Sequence, residues 1–369
     1  MKIGLIKEIK KEEYRVGLTP SSAGEYVKNG HTVYVEKSAG EGSGFVNSSY
    51  ERRGCLIEND KRKIFDTCDM IIKVKEPLEE EYELFHENQI LYTYLHLAAN
   101  KPLTEFLLKK KINSVAYETV MEDDGTLPLL KPMSEIAGRL SVQEGAKYLE
   151  KPFGGRGVLL GGVPGINRGK IIILGGGVVG TNACKIAVGM GAEVTILDIS
   201  TKRLTYLDDI FGSAITTLYS TDTNIEQCLS EADVVIGSVL IPGAEAPKLV
   251  TREHLKIMKK GAVIVDVAID QGGCCETSKA TYHSQPTYII DDVVHYCVAN
   301  MPGVVALSST YALTSVTNRY GLYIAQKGFE EAVATSNPIK LGVNTYKGYL
   351  MYEPVATALD LTYSSWSDV

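Results

Sequence analysis

The chain has 369 residues, of which 44% are hydrophobic and 22% charged, and its formal net charge is −7 at pH 7. This length is enough for about two domains of ordinary size, and the composition is typical of a globular protein. No basic stripe favours nucleic acid, and no apolar run reaches the roughly 18 residues that a membrane-spanning helix needs.

The cysteines and the N-terminal residues bear on the compartment in which the protein works. There are seven cysteines, an odd number, and no spacing of His and Cys residues matches a zinc site. Residues 1–5 enter a strand-like run at once, without the apolar segment and cleavage site of a signal peptide. We therefore expect a cytoplasmic protein with reduced thiols and no metal site.

The first third of the chain alternates predicted strands with helices and loops. A helix capped by Ser21 or Ser22 runs to Lys28, and the predicted strands are 2–7, 32–36, 70–74, 89–94 and 114–117. Alternation of this kind is typical of a mainly parallel sheet with helices on its faces. Because ligands of such sheets bind beyond the carboxyl ends of the strands, polar residues at those ends are candidate site residues.

A predicted long helix over 132–147, capped by Ser134, and a glycine-rich loop over 151–169 lead into a second α/β pattern. Its predicted strands are 171–174, 194–197, 232–237, 262–267 and, as a last short strand, 288–292. Three helices are predicted after them: one capped by Ser309 or Thr310, one that starts at or joins at Phe329, and one near 354–361.

The stretch 171–198 combines a strand, a glycine-rich turn, a helix and a second strand that ends in an acid. Gly175, Gly177 and Gly180 form a G-x-G-x-x-G, and Asp198 follows the last glycine by 18 residues. This order matches a dinucleotide-binding fold, in which the acid lies about 20 residues beyond the glycines. The glycines permit a tight turn, a close approach of the backbone to a pyrophosphate, and close packing of helix on strand. The alternative is a glycine-rich turn in some other α/β sheet.

The acid at the end of the second strand favours NAD over NADP. Asp198 would accept hydrogen bonds from the adenosine ribose hydroxyls, and its charge would repel a phosphate on that ribose. Lys202 and Arg203 follow closely and weaken this preference. We therefore expect NAD as the cofactor.

The predicted fold is α/β, with two doubly wound, Rossmann-like parallel-sheet domains and the active site in the cleft between them. The first α/β pattern shows no closure of its own near residue 130, so we expect the C-terminal helices to fold back on it. The predicted substrate domain is therefore discontinuous, 1–130 with 306–369, and the predicted NAD-binding domain is 131–305.

Four polar residues beyond predicted strand ends are candidates for substrate binding and proton transfer. Arg15 could bind a carboxylate with its guanidinium fork, or it could be a surface arginine. Lys75 could hold a carbonyl or carboxylate oxygen, or it could be a solvated loop lysine. His96 could exchange protons near neutral pH, or it could be a histidine satisfied within the core. Asp270 could face the nicotinamide, or it could be an ordinary turn or capping residue.

These residues lie in segments that resemble the NAD-dependent L-alanine dehydrogenases. The matching runs, which cover nearly the whole chain in order, are 4–8, Glu13-Tyr14-Arg15-Val16, 40–45, Val74-Lys75-Glu76-Pro77, Tyr94-Leu95-His96-Leu97-Ala98, 133–139, 161–165, the glycine stretch, 265–274 and 298–303. Together they are much more specific than the glycine fingerprint alone. The resemblance implies reversible oxidative deamination of L-alanine to pyruvate and ammonium, with reduction of NAD to NADH, by a homohexamer.

The resemblance also implies a role for each candidate. Arg15 and Lys75 would bind the substrate carboxylate and carbonyl. His96 would donate or accept a proton, and Asp270 would position the amine and the attacking water. The residues implied at the NAD site are Ser134, Gly175, Gly177, Val178, Val179, Gly180, Asp198, Arg203, Ser220, Val239, Leu240, Val267, Ala268, Ile269, Asp270, Val298, Ala299, Asn300 and Met301.

Three other functions are open alternatives. The nucleotide-binding subunit of a nicotinamide nucleotide transhydrogenase resembles this family but needs no amino-acid site, so the joint presence of Lys75, His96 and Asp270 argues against it. A saccharopine-dehydrogenase-like enzyme would need a pocket for a far longer amino acid. An NAD-binding sensor or structural protein would bind the cofactor without turnover.

Overall fold

The computed structural model describes residues 1–239 and 246–369. In chain order its strands are β1 (Lys2–Leu5), β2 (Thr32–Glu36), β3 (Leu56–Glu58), β4 (Met70–Ile72), β5 (Ile90–Thr93), β6 (Asn113–Ala116), β7 (Lys170–Leu174), β8 (Glu193–Asp198), β9 (Ile215–Tyr219), β10 (Val234–Gly237), β11 (Val263–Asp266), β12 (Thr287–Ile290), β13 (Val293–Tyr296), β14 (Val343–Tyr346) and β15 (Tyr349–Leu350). Its α-helices are α1 (Pro20–Lys28), α2 (Asn47–Glu51), α3 (Lys61–Thr67), α4 (Lys101–Lys109), α5 (Lys131–Tyr148), α6 (Val178–Gly189), α7 (Thr201–Phe211), α8 (Asp222–Glu231), α9 (Arg252–Leu255), α10 (Ala306–Lys327), α11 (Phe329–Thr335), α12 (Asn337–Gly342) and α13 (Glu353–Leu359).

The described residues form two compact units, one made of Met1–Met133 with Gly303–Val369 and the other of Ser134–Pro302. Each unit has its own mainly parallel sheet with helices between the strands, which confirms the predicted class of two α/β domains. Residues from both ends of the chain share the core of the first unit, since Leu350 and Val355 belong to the same apolar cluster as Leu91.

The sheet of the first unit has the strand order β15-β14-β6-β5-β4-β1-β2-β3. Strands β1 to β6 are parallel to one another, whereas β14 is antiparallel to both β6 and β15. All residues of β4 and β5 are buried, as expected for strands that are covered on both faces. The chain winds outward in one direction from β1 and in the other from β4, so the switch point of this sheet lies between those two strands.

The sheet of the second unit has the order β12-β13-β11-β10-β7-β8-β9 among the described residues. Its strands are parallel except for the edge strand β12, which is antiparallel to β13. The direction of winding reverses between β7 and β10, and β7 is the strand that leads into the glycine-rich turn. A dinucleotide is expected at this switch point, where the carboxyl ends of the strands open a crevice.

Three predicted helix caps are wrong. Thr19, not Ser21 or Ser22, caps α1, because Pro20 takes the first helical position and the Thr19 side chain accepts the N–H of Ser22 at 3.1 Å. Helix α5 begins at Lys131, so Ser134 lies within its first turn. Helix α10 begins at Ala306, so Ser309 and Thr310 lie inside it, and the Thr310 hydroxyl accepts the N–H of Val16 at 3.3 Å instead of capping the helix.

The predicted short strand over 288–292 is present as β12 as far as Ile290, but it is not the last strand and Asp291 and Asp292 lie outside it. Thr287–Ile290 and Val293–Tyr296 form a hairpin, and Asp291 and Asp292 between them have φ angles of 48° and 62°. Two consecutive residues with positive φ suit a tight two-residue hairpin turn, which aspartate tolerates better than most residues. Strands β14 and β15 were also missed, because the tail from 342 onward reads as a loop.

The cysteines offer no activated nucleophile. All seven are buried free thiols, and burial raises their pKa, to about 12 for Cys184, so little thiolate forms near neutral pH. Across the described ranges, no helix combines the length and apolarity needed to cross a bilayer.

Candidate active site

Three predicted site residues follow the carboxyl ends of neighbouring strands in the first unit. Arg15 follows β1, Lys75 follows β4 and His96 follows β5, and β4 pairs with both of the other strands. Since all three strands are parallel, their carboxyl ends lie at one edge of the sheet. Lys75 and His96 therefore follow the carboxyl ends of two paired strands, and Arg15 lies in the longer connection after the third.

Arg15 is buried and held by a neighbouring carboxylate. Its Nε donates to Glu13 Oε1 at 2.7 Å and its Nη2 donates to Glu13 Oε2 at 2.6 Å. Its Nη1 contacts the sulfur of Met133 at 3.1 Å. Burial acts to lower the pKa of Arg15, but the charge and hydrogen bonds of Glu13, with smaller effects of Tyr94 and Glu8, together raise it, so the guanidinium stays charged. With an exposed fraction of 3%, Arg15 is not a surface arginine.

Lys75 lies in a turn that the buried carboxylate of Glu8 holds. Glu8 Oε1 accepts the main-chain N–H of Val74 at 2.6 Å and that of Lys75 at 3.3 Å. The carbonyl of Lys75 in turn accepts a hydrogen bond from the Thr93 hydroxyl at 3.0 Å, which ties this turn to β5. The position of Lys75 is thus fixed through its main chain from both sides.

Behind this turn lies a fully buried lysine between two buried carboxylates. Lys73 Nζ is 3.3 Å from Glu8 Oε2 and 3.0 Å from Glu81 Oε1. Burial lowers the pKa of Lys73, but the two carboxylates outweigh it and the pKa is raised. Burial raises the pKa of Glu8, and Lys73 opposes that effect. Such a network is expected to make the turn after β4 rigid, because every charge in it has a partner.

His96 is exposed, so it is not a core histidine. Its main chain is in the left-handed region, with φ 51° and ψ 41°, and its N–H donates to Glu118 Oε1 at 2.6 Å. Its ring stacks on that of Tyr94, with 5.9 Å between ring centroids and 10° between planes. The Tyr94 hydroxyl is itself anchored, since it donates to the carbonyl of Leu129 at 2.6 Å.

Electrostatic effects link these residues to one another. Burial acts to raise the pKa of Glu76, but the charge and hydrogen bond of Lys10, with smaller effects of Lys75 and His96, together lower it. Burial raises the pKa of Tyr94, and the charge of Arg15 acts in the opposite direction. The Tyr94 ring and the Glu76 carboxylate therefore lie among the predicted substrate residues, and both were missed.

Each of the three predicted residues has a supporting glutamate that the sequence analysis did not single out. Glu13 holds the Arg15 side chain, Glu8 holds the main chain at Lys75, and Glu118 holds the main chain at His96. The sequence feature that could have indicated these glutamates is their position, since they follow predicted strands closely, as the candidates themselves do.

The glycine-rich turn of the second unit has the shape that a dinucleotide site requires. A side chain at Gly180 would place its Cβ 1.9 Å from the carbonyl oxygen of Gly175, so only glycine fits there, and Gly175 has a φ of 100°. A Cβ at Gly177 would meet nothing within 4 Å. Open space beside the N-terminus of α6 is where a pyrophosphate would approach, so these residues fit the expected cofactor.

Asp198 and Arg203 both reach the glycine-rich turn. Asp198 Oδ2 accepts the N–H of Gly176 at 2.7 Å, and its Oδ1 accepts the N–H of Ser200 at 2.8 Å. Arg203 donates to the carbonyl of Gly176 and, at 2.5 Å, to the hydroxyl of Thr181. An acid and a guanidinium thus flank the turn on the side of the carboxyl end of β8.

The other predicted NAD residues follow strand ends of the same sheet or begin α5. Ser134 lies in the first turn of α5, and Ser220 follows β9, where its N–H donates to the carbonyl of Asp198 at 3.0 Å. Val239 follows β10, and Leu240 lies outside the described residues. The remaining ones are Val267–Asp270, in a short 3-10 helix after β11, and Val298–Met301 after β13.

Asp270 is exposed and belongs to the second unit, whereas Arg15, Lys75 and His96 belong to the first. The buried Asp266 shapes the turn that carries it. Its side chain accepts the N–H of Ala268 at 3.1 Å and the hydroxyl hydrogen of Ser278 at 2.6 Å. A fixed turn at a strand end is a suitable place for a polar group that must meet a ligand.

Two family models match nearly the whole chain. The model described as alanine dehydrogenase/PNT, N-terminal domain, matches residues 4–137, and the one described as alanine dehydrogenase/PNT, C-terminal domain, matches residues 141–353. The chain belongs to the alanine dehydrogenase/PNT family. This confirms the resemblance stated from the motifs, and the two family models span both sets of predicted site residues.

Comparison with individual proteins supports the same family assignment. A protein named alanine dehydrogenase from Methanococcus maripaludis is 57% identical over 365 residues, which are 99% of this chain and 98% of that protein. A solved structure named L-alanine dehydrogenase matches with a TM-score of 0.95 and 49% identity over 98% of this chain and 99% of that one. A transhydrogenase from Sinorhizobium meliloti matches with a TM-score of 0.81 over 95% of this chain and 99% of that one, but at 22% identity it shows a shared fold alone.

Proposed function

We propose that this chain is an NAD-dependent alanine dehydrogenase, an oxidoreductase that interconverts L-alanine with pyruvate and ammonium. The observation that carries the proposal is the placement of Lys75 and His96 after the paired strands β4 and β5, with the buried Arg15 following β1, which also pairs with β4. High identity over the full length of a relative named alanine dehydrogenase supports the same activity. A cytoplasmic homohexamer is a further part of this proposal, and it rests on the family resemblance.

The substrate carboxylate would bind Arg15 through the Nη1 side of the guanidinium. Glu13 engages the Nε–Nη2 edge, so the carboxylate would take the place of the Met133 sulfur contact at Nη1. Lys75 would bind the carbonyl oxygen of pyruvate as a point charge. These two contacts would bind the carboxylate and carbonyl groups, which suits a small 2-oxo acid. They would provide no binding group for the rest of a far longer amino acid.

NAD would be held at the glycine-rich turn and Asp198, and it supplies a hydride acceptor for the substrate Cα–H. In the oxidative direction, the chain must then help water add to the imine that hydride loss leaves on the substrate. An imidazole nitrogen of His96 would take a proton from that water, and Asp270 would orient the water and the amine. Pyruvate and ammonium result, with one hydride moved and one proton released.

The first test is consumption of NADH with pyruvate and ammonium, with NADPH and glyoxylate as parallel substitutes. We expect rapid loss of NADH absorbance that requires both pyruvate and ammonium. If NADH binds but no substrate pair consumes it, the deamination proposal fails, and a transhydrogenase subunit or a sensor takes its place.

Asp198→Asn is expected to weaken the preference for NADH over NADPH by about tenfold. Asparagine keeps an acceptor for the N–H of Gly176, but it loses the charge that would bind the ribose hydroxyls and repel a ribose phosphate. A hydrogen bond to a charged group contributes about 1.5–3 kcal/mol, and about 1.4 kcal/mol corresponds to a tenfold change in affinity. The measurement is kcat/KM for each cofactor. Asp209→Asn, at an exposed position of α7, is the control and should change neither value. An unaltered preference in Asp198→Asn would remove this acid from the cofactor site.

A further inference from the structure

The main chain at His96 is held in a conformation that histidine does not adopt by default. Its φ of 51° and ψ of 41° lie in the left-handed region, directly after β5 and before the 3-10 helix Leu97–Ala99. For a residue other than glycine this conformation persists only when surrounding contacts impose it. The contacts that impose it therefore decide where the His96 ring points.

The carboxylate of Glu118 makes the contacts to this main chain. Its Oε1 accepts the N–H of His96 at 2.6 Å, and both of its oxygens lie within hydrogen-bonding range of the N–H of Leu95, at 3.1 and 3.3 Å. One side chain thus binds two consecutive N–H groups at the point where the chain turns out of β5. A charged acceptor makes such bonds stronger than a neutral one would.

The position of Glu118 follows from the sheet. Strands β5 and β6 are parallel and paired as far as Thr93 and Ala116, and the N–H of Tyr117 still donates to the carbonyl of Thr93 at 2.9 Å. Glu118 lies two residues beyond Ala116. Its carboxylate accepts the N–H groups of Leu95 and His96, which lie beyond the paired residues of β5. It holds the main chain of the turn, while the stacked Tyr94 ring holds the imidazole.

We propose that Glu118 is a positioning residue for His96: it touches no reacting atom, but it fixes the turn that aims the imidazole at the substrate. This inference rests on the proposed function, because it assigns to His96 the proton transfer described above. A displacement of about 1 Å can cost a hundredfold in rate when a catalytic group depends on its alignment.

The central variant is Glu118→Ala, assayed as NADH oxidation with pyruvate and ammonium. We expect kcat to fall about tenfold to a hundredfold while KM for pyruvate stays nearly constant, since Arg15 and Lys75 keep their own supports. Glu118→Gln should retain most of the activity, because its amide oxygen can still accept the N–H of His96. Glu118→Leu, which has a similar volume but accepts no hydrogen bond, carries the test if the alanine variant does not fold, and it should lose as much kcat.

The matched control is Glu58→Ala. Glu58 lies at the end of the outermost strand β3, and its Oε1 likewise accepts two consecutive N–H groups, those of Asn59 at 2.8 Å and Asp60 at 3.2 Å. Its loss should leave kcat unchanged. A fall in kcat equal to that of Glu118→Ala would show that loss of any such support slows the enzyme, and it would overturn the proposal.

A double-mutant cycle with His96→Ala separates positioning from a general structural effect. If Glu118 acts through His96, Glu118→Ala slows the wild-type enzyme but adds nothing in the His96→Ala background. An equal effect in both backgrounds, or wild-type kcat in Glu118→Ala, would overturn the proposal. A wild-type chain that binds NADH without turnover would instead contradict the proposed function, and this outcome is seen before any variant is made.

Discussion

Arg15→Met is expected to lower the free energy of unfolding by about 3–5 kcal/mol and to remove most of the affinity for pyruvate. The loss of stability arises because Glu13 would keep a buried carboxylate without the cation that now pairs with it. The loss of affinity arises because methionine replaces only the aliphatic part of the arginine side chain and has no donor for a carboxylate. Urea denaturation at pH 7 and KM for pyruvate measure the two effects.

A second substitution separates the two consequences of losing Arg15. In the double variant R15M/E13Q, the neutral amide removes the orphaned charge and still offers an acceptor to the main-chain N–H at position 15. We expect most of the stability to return while KM for pyruvate stays high. Recovery of both would show that Arg15 supports the fold but does not bind the substrate.

An exposed ion pair provides the control for the stability measurement. Lys63 pairs with Glu58 on the surface of the same unit, with 63% of the lysine side chain exposed. Lys63→Met should leave the free energy of unfolding almost unchanged, since water screens such a pair. If Arg15→Met proves as mild as Lys63→Met, the buried pair does not contribute as we infer.

His96→Ala is expected to lower kcat at least about a hundredfold, with little change in the folded structure. The ring is exposed and stacks on Tyr94, so its removal opens no buried cavity. A loss concentrated in kcat would reflect a missing proton transfer and not a weaker grip on the substrate. The measurements are steady-state rates in both directions and a circular dichroism spectrum of the variant.

The matched control for this variant is His86→Ala. His86 is an exposed histidine of the same unit, and its ring nitrogens lie within hydrogen-bonding distance of the main-chain carbonyls of Glu87 and Cys68. Its removal should leave kcat nearly unaltered. Unchanged turnover in His96→Ala would eliminate the acid–base role, and with it the reason for placing Glu118 behind that residue.

The sequence patterns that predicted the fold well were local ones. The predicted strand over 32–36 is β2, and the glycine-rich turn lies between β7 and α6 as the fingerprint requires. Buried parallel strands are continuous apolar runs, so they can be recognised without their neighbours. Strands β14 and β15 carry no such run, and they exist because β14 pairs with β6 through contacts such as the 2.7 Å hydrogen bond between the hydroxyls of Ser114 and Thr345.

The rule that ligands bind at strand ends was enough to select Arg15, Lys75 and His96 as candidates. Their proposed roles come from the family resemblance. What the rule could not supply was the state of each side chain. By its sequence position Arg15 could be a surface arginine or part of a buried ion pair, and its hydrogen bond to Glu13 distinguishes the two. The exposure of His96 depends on the path of the chain after β5.

The sequence by itself determined the α/β class, the dinucleotide turn and the set of candidate residues, because each depends on a spacing along the chain. Only the tertiary structure decided which glutamate supports which candidate. Glu118 reaches His96, 22 residues away, because β5 and β6 are neighbours, and Glu8 reaches Lys75, 67 residues away, because β1 and β4 are. A carboxylate placed by strand pairing leaves no periodic signal in the sequence, since its partners are set by the order of strands in the sheet and not by their order in the chain.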